Sequence, residues 1–267
     1  MNPIRAYILM ALLVPLTLFF VGLRLLFWPI ARVSRRTDRM LRRYVLRAWG
    51  YSFSFAAGLR VIVKGTPAAP PFYMVCNHLS YLDMVILARQ TGCIFVSRAD
   101  VEQWPFFGFV ARSFYVLFIN RTDRRDVARV NILIEETIAE GDAIAVFPES
   151  HTSCGLDINP FRSPLLQPAV TLDIPVNFAS IYYRTAANAP AAGILCSWWK
   201  PIPFYVHFYR FLQYRGTTVT IQFGEKTIRG TDRKVLAKEL EEAVRKNFVP
   251  QRQEESDSSQ SVTDHAE

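Results

Sequence analysis

The chain is poor in cysteine, and its cysteines follow no pairing pattern. Four are present, far apart in sequence and in or near apolar runs: Cys76, Cys93, Cys154 and Cys196. Such residues are typical of the core of a protein from a reducing compartment, so no disulfide framework is predicted. The potential ligands Glu149, His151, Cys154 and Asp157 match no zinc template in their spacing, and no metal site is predicted.

Two further sequence signatures are missing. The chain has no internal repeat and no Gly-x-Ser-x-Gly nucleophile elbow. The second absence argues against a soluble hydrolase. With 267 residues, of which 51% are apolar, the chain is long enough for one substantial core and one appendage.

Acidic residues are nearly absent from the first 64 residues, where Asp38 stands alone. The basic residues of this region are Arg5, Arg24, Arg32, Arg35, Arg36, Arg39, Arg42, Arg43, Arg47, Arg60 and Lys64. Most of the formal net charge of +8 therefore lies here. A basic patch can bind nucleic acid or anionic lipid. Because this patch accompanies a long apolar segment, membrane lipid is the predicted partner and nucleic acid is not.

That apolar segment runs without a charge from Ala6 to Leu23 and continues past Arg24. A helix needs roughly 20 apolar residues to cross a bilayer, so the segment is long enough to span. Pro15 and Arg24 also leave room for a kinked helix inserted into one leaflet, and both arrangements stay open. The arginines on its carboxyl side predict an inner (plasma) membrane protein with its remaining chain in the cytoplasm, and argue against a cleaved signal peptide.

A second helix is predicted from Asp38 to Gly58, where apolar residues alternate with arginines, on or under the membrane surface. Residues 1–60 are therefore predicted to form a two-helix membrane anchor. Residues 61–250 show alternating strand and helix patterns, the first strand being Phe72–Cys76, which predicts an α/β domain with a mixed, mostly parallel sheet flanked by helices. The aromatic stretch from Trp198 suits either a core or a bilayer interface. Residues 251–267 are polar and predicted to be disordered.

The most informative motif is Cys76-Asn77-His78-Leu79-Ser80-Tyr81-Leu82-Asp83, which follows the apolar strand from Phe72. Five positions along a regular helix would put His78 and Asp83 on different faces, so the histidine is predicted to lie in the bend between strand and helix. Asp83 can then fold back to bond one ring nitrogen and leave the other as a general base. A surface histidine beside a helix-capping aspartate would show the same spacing.

Two other blocks stand where predicted strands end. Arg98 follows one strand, and Phe118-Ile119-Asn120-Arg121 ends the next; guanidinium groups at such a place suit phosphate, although a solvated basic turn fits equally well. The block Phe147-Pro148-Glu149-Ser150-His151-Thr152-Ser153 offers a carboxylate and main-chain N–H groups that can hold a phosphate or an oxyanion. An ordinary turn rich in serine and threonine would show the same sequence pattern.

Together these blocks resemble the glycerolipid acyltransferase family that includes the 1-acylglycerol-3-phosphate acyltransferases. NHLSYLD is similar to the family's NHxSxxD block, RADVEQWPFFG and FINR to its second block, and FPESHTS to its FPEGTxS block. Ile174-Pro175-Val176 is similar to the fourth block. The resemblance covers roughly residues 73–247. It departs from the family pattern at Ser150 and His151, where glycine and threonine are usual, and at Phe161-Arg162-Ser163-Pro164, where the usual glycine is lost.

The resemblance implies a glycerol-3-phosphate acyltransferase-like fold and a role for each matching residue. His78 would be the general base that deprotonates a lysolipid hydroxyl, and Asp83 would orient it. The implied substrate-binding residues are Arg98, Arg121, Glu149, Ser150, Thr152, Ser153 and Arg162. Arg121 would bind the acceptor phosphate. No cofactor is implied beyond acyl-CoA or acyl carrier protein as co-substrate.

The expected function is that of a membrane-bound acyltransferase that converts 1-acyl-sn-glycerol-3-phosphate to phosphatidate. The pattern PFRSPLL is closer to members that acylate other lysophospholipids or lyso-ornithine lipids, so the identity of the acceptor stays open. A non-catalytic lipid-binding protein with the same fold is a third alternative, because Ser150 and His151 replace family residues.

Overall fold

The structure, a computed structural model that describes residues 1–251, contains one seven-stranded sheet between two layers of helices. The strands are β1 (Arg60–Lys64), β2 (Phe72–Cys76), β3 (Ile94–Arg98), β4 (Leu117–Ile119), β5 (Ala143–Val146), β6 (Val176–Arg184) and β7 (Thr218–Phe223). Their spatial order is β1-β7-β6-β2-β5-β3-β4. Only β6 and β7 pair antiparallel within the described residues, so β1 and β7 run against the other five strands. This confirms the predicted mixed, mostly parallel sheet.

The helices are α1 (Pro3–Phe27), α2 (Arg35–Ala57), α3 (Leu82–Thr91), α4 (Pro105–Ser113), α5 (Arg124–Ala139), α6 (Gln167–Thr171), α7 (Ala192–Leu195), α8 (Phe204–Leu212) and α9 (Arg233–Asn247). Most of them lie in the connections between strands, whereas α1 and α2 precede β1 and α9 follows β7. Short 3₁₀ turns occupy Trp28–Arg32, Ala99–Gln103 and Pro164–Leu166. The crossover helices allow the central strands to run parallel.

Local sequence chemistry sets several helix ends. The side chains of Asn2 and Ser34 accept hydrogen bonds from main-chain N–H groups in the first turns of α1 and α2, at 2.9 and 3.2 Å. Asp232 does the same for α9. These caps satisfy donors that have no partner inside the helix. Gly58 and Gly92 end α2 and α3 with φ of 78° and 66°, a backbone conformation that glycine adopts without steric cost.

Alternation along the strands divides the buried side chains into two cores. In β2, Met74 and Cys76 face the layer of α1, α2, α3 and α8, whereas Tyr73 and Val75 face the layer of α5, α6 and α9. All five residues of β2 are buried. A strand buried on both faces needs a continuous apolar run, which is what Phe72–Cys76 supplies.

Helix α1 packs on α2, α4 and α8 along one face only. Ala6, Leu13 and Val21 are buried there, while Phe19 and Leu26 on the other side are 63% and 71% exposed. The segment Pro3–Arg32 is long and apolar enough to cross a membrane, by length and composition. Its outer face is therefore an apolar strip that no described residue covers.

Two buried ion pairs join the amino-terminal helices to the sheet. Arg24 of α1 pairs with Asp38 of α2 at 2.8 Å, and Arg42 of α2 pairs with Asp142, the residue before β5. Tyr115 contacts both guanidinium groups through its ring, with centroid distances of 5.2 and 5.8 Å. Within the basic region for which lipid is the predicted partner, Arg24 and Arg42 are therefore buried and paired inside the protein. Each has a carboxylate within reach, and buried charges persist when paired.

Some elements differ from the prediction. The strand Arg60–Lys64 was not predicted, because its charged ends and largely exposed side chains hide the strand pattern. Among the described strands it pairs with β7 alone. The aromatic stretch contains α8, whose Phe211 is buried while Tyr205 is 66% exposed. Gln251 is buried and its N–H donates to the carbonyl of Gly155, so the proposed polar tail does not begin there. The rest of that tail, 252–267, lies outside the described residues.

Gly50 of α2 provides a test of the packing of α2 against α3. A Cβ at this position would lie 2.6 Å from the main-chain nitrogen of Arg89 and 2.9 Å from the oxygen of Val85. We expect Gly50→Ala to destabilise the fold by about 1–3 kcal/mol because the two helix backbones must separate. Thermal unfolding in detergent micelles measures the effect.

The control is Gly22→Ala in α1, where an added Cβ would meet no atom within 4 Å. This change should be neutral or stabilising by up to about 1 kcal/mol, because alanine favours the helix. Equal shifts of the unfolding midpoint in both variants would contradict the close approach at Gly50.

Candidate active site

The bend between β2 and α3 carries His78, and its ring faces Asp83 in the first turn of α3. Nδ1 of His78 lies 2.9 Å from Oδ2 of Asp83. The same oxygen accepts the main-chain N–H groups of Leu79 and Ser80 at 2.7 and 2.8 Å. The other oxygen, Oδ1, accepts the hydroxyl of Tyr183 at 2.6 Å. The structure thus brings together the two residues that the motif predicts as a pair.

This arrangement sets the tautomer of His78. Asp83 is fully buried and accepts hydrogen bonds from four donors, as an ionised carboxylate does, so the hydrogen of His78 lies on Nδ1. In the neutral ring, Nε2 then keeps its lone pair. The ring stacks on Phe147, with centroids 4.1 Å apart and an 18° angle between planes, and stays 18% exposed. A fixed neutral imidazole with an accessible nitrogen can act as a general base.

Glu149 holds the main chain of His78. Its Oε1 accepts the N–H of His78 at 2.6 Å, and its Oε2 accepts the N–H of Asn159 at 2.9 Å. Burial raises the pKa of Glu149 from 4.5 to about 7, against the opposing effect of these two N–H groups. Both oxygens of Glu149 accept hydrogen bonds from main-chain N–H groups. Such contacts are those of a residue that structures the loop.

The loop after Glu149 is tied to the His78 bend and to the segment at Trp198. The N–H of Ser153 donates to the carbonyl of His78 at 3.0 Å, and the hydroxyl of Thr152 donates to the carbonyl of Trp198. The N–H of Trp198 in turn donates to the carbonyl of Leu79 at 2.9 Å. Hydrogen bonds therefore join three segments that are distant in sequence around the histidine.

Ser150, which stands where the family motif has glycine, adopts a backbone conformation that favours glycine. Its φ is 70°, a region in which a Cβ costs roughly 1–2 kcal/mol. Arg121, two residues after β4, donates a hydrogen bond from Nη1 to the carbonyl of Ser150 and so helps to hold the loop. In the described part of the chain, the N–H groups of His151 and Thr152 bond to no protein acceptor. They remain available to an anion.

Four basic side chains surround this loop, and we call them the cationic cluster: Arg98, Arg121, His151 and Arg162. Burial, followed by the charges of Arg98 and Arg162, lowers the pKa of Arg121. Burial and the three arginines together lower the pKa of His151. Arg98 pairs with Asp100 at 2.9 Å, whereas Arg121 and Arg162 pair with no carboxylate among residues 1–251. Arginines that lack a carboxylate partner and repel one another attract negative charge, so the cluster is a candidate anion site.

An aromatic wall lies on the other side of the bend. Tyr81, Trp104, Phe107, Trp198 and Phe204 contact one another with ring centroids 4.6–6.5 Å apart. The wall is joined to the His78 bend by Tyr81 and by the N–H of Trp198, which donates to the carbonyl of Leu79. An apolar wall at this place suits an acyl chain.

Behind the aromatic wall, His207 joins two of its segments. Nδ1 of His207 lies 3.0 Å from the hydroxyl of Tyr81, and Nε2 lies 3.1 Å from the carbonyl of Ser197. Since a carbonyl only accepts, Nε2 carries the hydrogen and Nδ1 accepts from Tyr81. Burial lowers the pKa of His207 to about 4, so the ring is neutral. No motif in the sequence signals His207 or Tyr183, because each contacts a residue of the site that lies 100 or more positions away.

Comparisons with known proteins find the same family that the motifs indicate. A model of the acyltransferase family matches residues 60–181. Lyso-ornithine lipid O-acyltransferase of Brucella abortus is 28% identical over 256 residues, 91% of this chain and 93% of that protein. The protein of the same name from Pseudomonas aeruginosa is 30% identical over 210 residues, 77% of this chain and 78% of that protein.

Two further relatives carry another name. The 1-acyl-sn-glycerol-3-phosphate acyltransferase of Neisseria gonorrhoeae is 28% identical over 182 residues, 64% of this chain and 67% of that protein. The crystal structure of the 1-acyl-sn-glycerophosphate acyltransferase PlsC from Thermotoga maritima is similar in fold, with a TM-score of 0.65 and 19% identity, and covers 91% of this chain and 95% of that one. The family resemblance seen in the motifs is thereby confirmed.

The raised pKa of Glu149 predicts a pH-dependent stability. A carboxyl group whose pKa is higher in the folded state stabilises the fold below its unfolded pKa, here 4.5, and loses that contribution as the pH rises through about 7. Glu149→Gln is neutral at every pH. The unfolding free energy of the wild type minus that of Glu149→Gln should therefore fall between pH 5 and pH 8, by up to about 3 kcal/mol.

Chemical denaturation at the two pH values measures this difference. The control is Glu239→Gln on the exposed face of α9, for which the difference from wild type should not change with pH. A wild type that gains stability over Glu149→Gln as the pH rises would contradict the prediction.

Proposed function

This chain belongs to the acyltransferase family, and on that premise we propose that it is a membrane-bound lysolipid O-acyltransferase. It would transfer a fatty acyl group from acyl-CoA or acyl carrier protein to a free hydroxyl of its acceptor. The observation that carries the proposal is the His78–Asp83 pair, with an accessible Nε2, between the cationic cluster and the aromatic wall. A base, an anion site and an apolar surface are what an acyl transfer to an anionic lysolipid requires.

The proposed reaction is a direct transfer. Nε2 of His78 takes the proton of the acceptor hydroxyl as its oxygen attacks the thioester carbonyl carbon, and Asp83 stabilises the imidazolium that forms. The new C–O ester bond forms and the C–S bond breaks. The thiolate leaves with the proton returned by His78, so that no covalent acyl-enzyme is needed. The free N–H groups of His151 and Thr152 are candidate donors for the acceptor's anion or for the oxyanion.

The acceptor that we propose first is 1-acyl-sn-glycerol-3-phosphate, which would give phosphatidate. The cationic cluster supports it, because Arg121 and Arg162 have no carboxylate partner in the described chain and a phosphate carries up to two negative charges. Arg98 and Arg121 would hold the phosphate, while Ser150, Thr152 and Ser153 would shape the loop around it.

A second acceptor, lyso-ornithine lipid, is favoured by a separate observation. Two of the relatives above that span most of this chain are named for it. Its headgroup has one carboxylate that could bind the cationic cluster, and one ammonium group that would need an acid. Near the cluster, Asp100 already pairs with Arg98 and Glu149 bonds to main chain. For this reason we place the phosphate-bearing acceptor first.

For the location of the protein we propose the cytoplasmic face of the inner membrane, with α1 and α2 as the anchor of residues 1–60. The exposed apolar strip of α1 would contact the acyl chains of the bilayer. Because its opposite face packs on α2, α4 and α8, insertion into one leaflet accounts for the structure better than a span in which α1 leaves the domain.

The proposed function is tested by acyl transfer to a panel of lysolipids in mixed micelles. The donors, used separately, are radiolabelled oleoyl-CoA and radiolabelled oleoyl-acyl carrier protein. The panel holds lysophosphatidate, other lysophospholipids and lyso-ornithine lipid. We expect transfer to lysophosphatidate, and its loss by a factor of at least about 10³ in His78→Ala because the base is removed. Flotation with liposomes should be unchanged in this variant.

Each alternative has its own outcome in this experiment. Transfer to lyso-ornithine lipid alone would identify the second acceptor and keep the mechanism. Turnover by His78→Ala at the wild-type rate would refute the base, and no transfer to any acceptor from either donor would favour a non-catalytic lipid-binding protein.

Arg121 tests the anion site. We expect Arg121→Ala to raise the KM for lysophosphatidate by about 10- to 100-fold, because a charge-assisted hydrogen bond contributes about 1.5–3 kcal/mol. The KM for the acyl donor should change less than about twofold. Arg125→Ala is the matched control, since Arg125 is exposed at the start of α5 and its side chain makes no hydrogen bond or ion pair within the described residues. Equal effects on donor and acceptor would argue against a phosphate clamp.

A further inference from the structure

The hydrogen bonds of Asp83 are distributed unequally between its two oxygens. Oδ2 accepts three donors, which are Nδ1 of His78 and the N–H groups of Leu79 and Ser80. All three come from within five residues of Asp83. Oδ1 accepts one donor among the described residues, the hydroxyl of Tyr183 at 2.6 Å. Tyr183 lies on β6, the strand next to β2 in the sheet. The rotation of the carboxylate is thus fixed on one side by the local bend and on the other by a single phenol.

The position of Tyr183 is itself tightly determined. Tyr183 lies on β6, is 1% exposed, and shares its face of the strand with Ile181. The side chain of Asn77, which follows β2, donates to the carbonyl of Ile181 at 2.9 Å and accepts its N–H at 2.7 Å. This amide locks β6 to the strand that delivers His78, two residues before Tyr183. The phenol therefore cannot slide relative to Asp83.

We infer that Tyr183 is a positioning residue of the acyl transfer, which donates to Oδ1 of Asp83 and thereby sets both the orientation and the basicity of His78. The inference rests on the proposed function for its role in turnover. It assigns no contact between Tyr183 and substrate. The hydroxyl acts through Asp83, because it bonds to the carboxylate and lies behind it.

The chemistry of the phenol makes it a permanent donor. Burial and the neighbouring charge of Asp83 raise the pKa of Tyr183 well above its usual value, so the hydroxyl keeps its proton throughout the working range. A hydrogen bond to Oδ1 withdraws electron density from the carboxylate. Without it, Asp83 attracts the imidazolium form of His78 more strongly, and His78 takes up its proton at higher pH. The carboxylate is also free to rotate, which weakens the alignment of the ring.

Tyr183→Phe tests this inference, because it removes one oxygen and keeps the shape of the ring. We expect the acidic limb of the kcat/KM profile to move to higher pH by about half a unit, and kcat at the plateau to fall about tenfold. The KM values for donor and acceptor should change less than about twofold, since no substrate contact is lost. The matched control is Tyr182→Phe on the same strand, whose ring points to the other face and contacts Arg184. It should leave the profile unchanged.

A second measurement does not need turnover. The chain has only four histidines, so ¹⁵N-histidine NMR in detergent can follow the titration of His78 directly. The midpoint of that titration should move in the same direction and by a similar amount in Tyr183→Phe, and should not move in Tyr182→Phe. If wild-type protein transfers no acyl group to any lysolipid, the proposed function fails, whereas this titration still decides the link from Tyr183 to His78.

A third variant covers the case in which Tyr183→Phe does not fold. Site-specific 3-fluorotyrosine at position 183 keeps the hydroxyl and makes it a stronger donor, so the acidic limb and the His78 titration should both move to lower pH. Opposite shifts for the two substitutions would establish the role. An unchanged His78 titration and pH profile in either folded variant would overturn it, whatever the loss of kcat.

Discussion

The arrangement around the histidine depends on keeping one buried carboxylate ionised. Asp83 has no access to water, and a buried charge is stable only when donors replace its hydration. Two of its donors come from the bend itself, one from the histidine and one from β6. This requirement explains why the bend follows β2 at the centre of the sheet, between β6 and β5. On an edge strand, one of these flanking strands would be missing.

The order of strands also brings the remaining groups to the same edge. β5 lies beside β2 and leads into Phe147, on which the histidine stacks, and into Glu149, which holds the histidine main chain. Asp142, at the opposite end of β5, pairs with Arg42 of the amino-terminal helices. One strand of four residues thus connects the helices of the predicted anchor to the loop that the cationic cluster surrounds. Movement of α2 relative to the sheet would break a fully buried ion pair, so helices and loop are held as one body.

Much of this organisation was predictable from the sequence, and the reasons for the exceptions are physical. Apolar runs such as Phe72–Cys76 predicted the central strands, because a strand covered on both faces allows few polar residues. The His78 motif was predictable because its partner lies five positions away. Strand Arg60–Lys64 was not, since its exposed edge position removes the apolar pattern. Tyr183 and His207 were not predictable either, since their contacts span 100 residues or more and depend on strand order.

The exposed apolar strip of α1 affects how the protein encounters its substrates. A lysolipid and an enzyme that share a bilayer encounter one another in two dimensions, so the rate follows the mole fraction of lysolipid in the surface rather than its concentration in the whole volume. Dilution of the membrane with inert lipid would then slow turnover at constant total lysolipid. In the absence of lipid or detergent, the apolar strip with Phe19 and Leu26 would drive self-association instead.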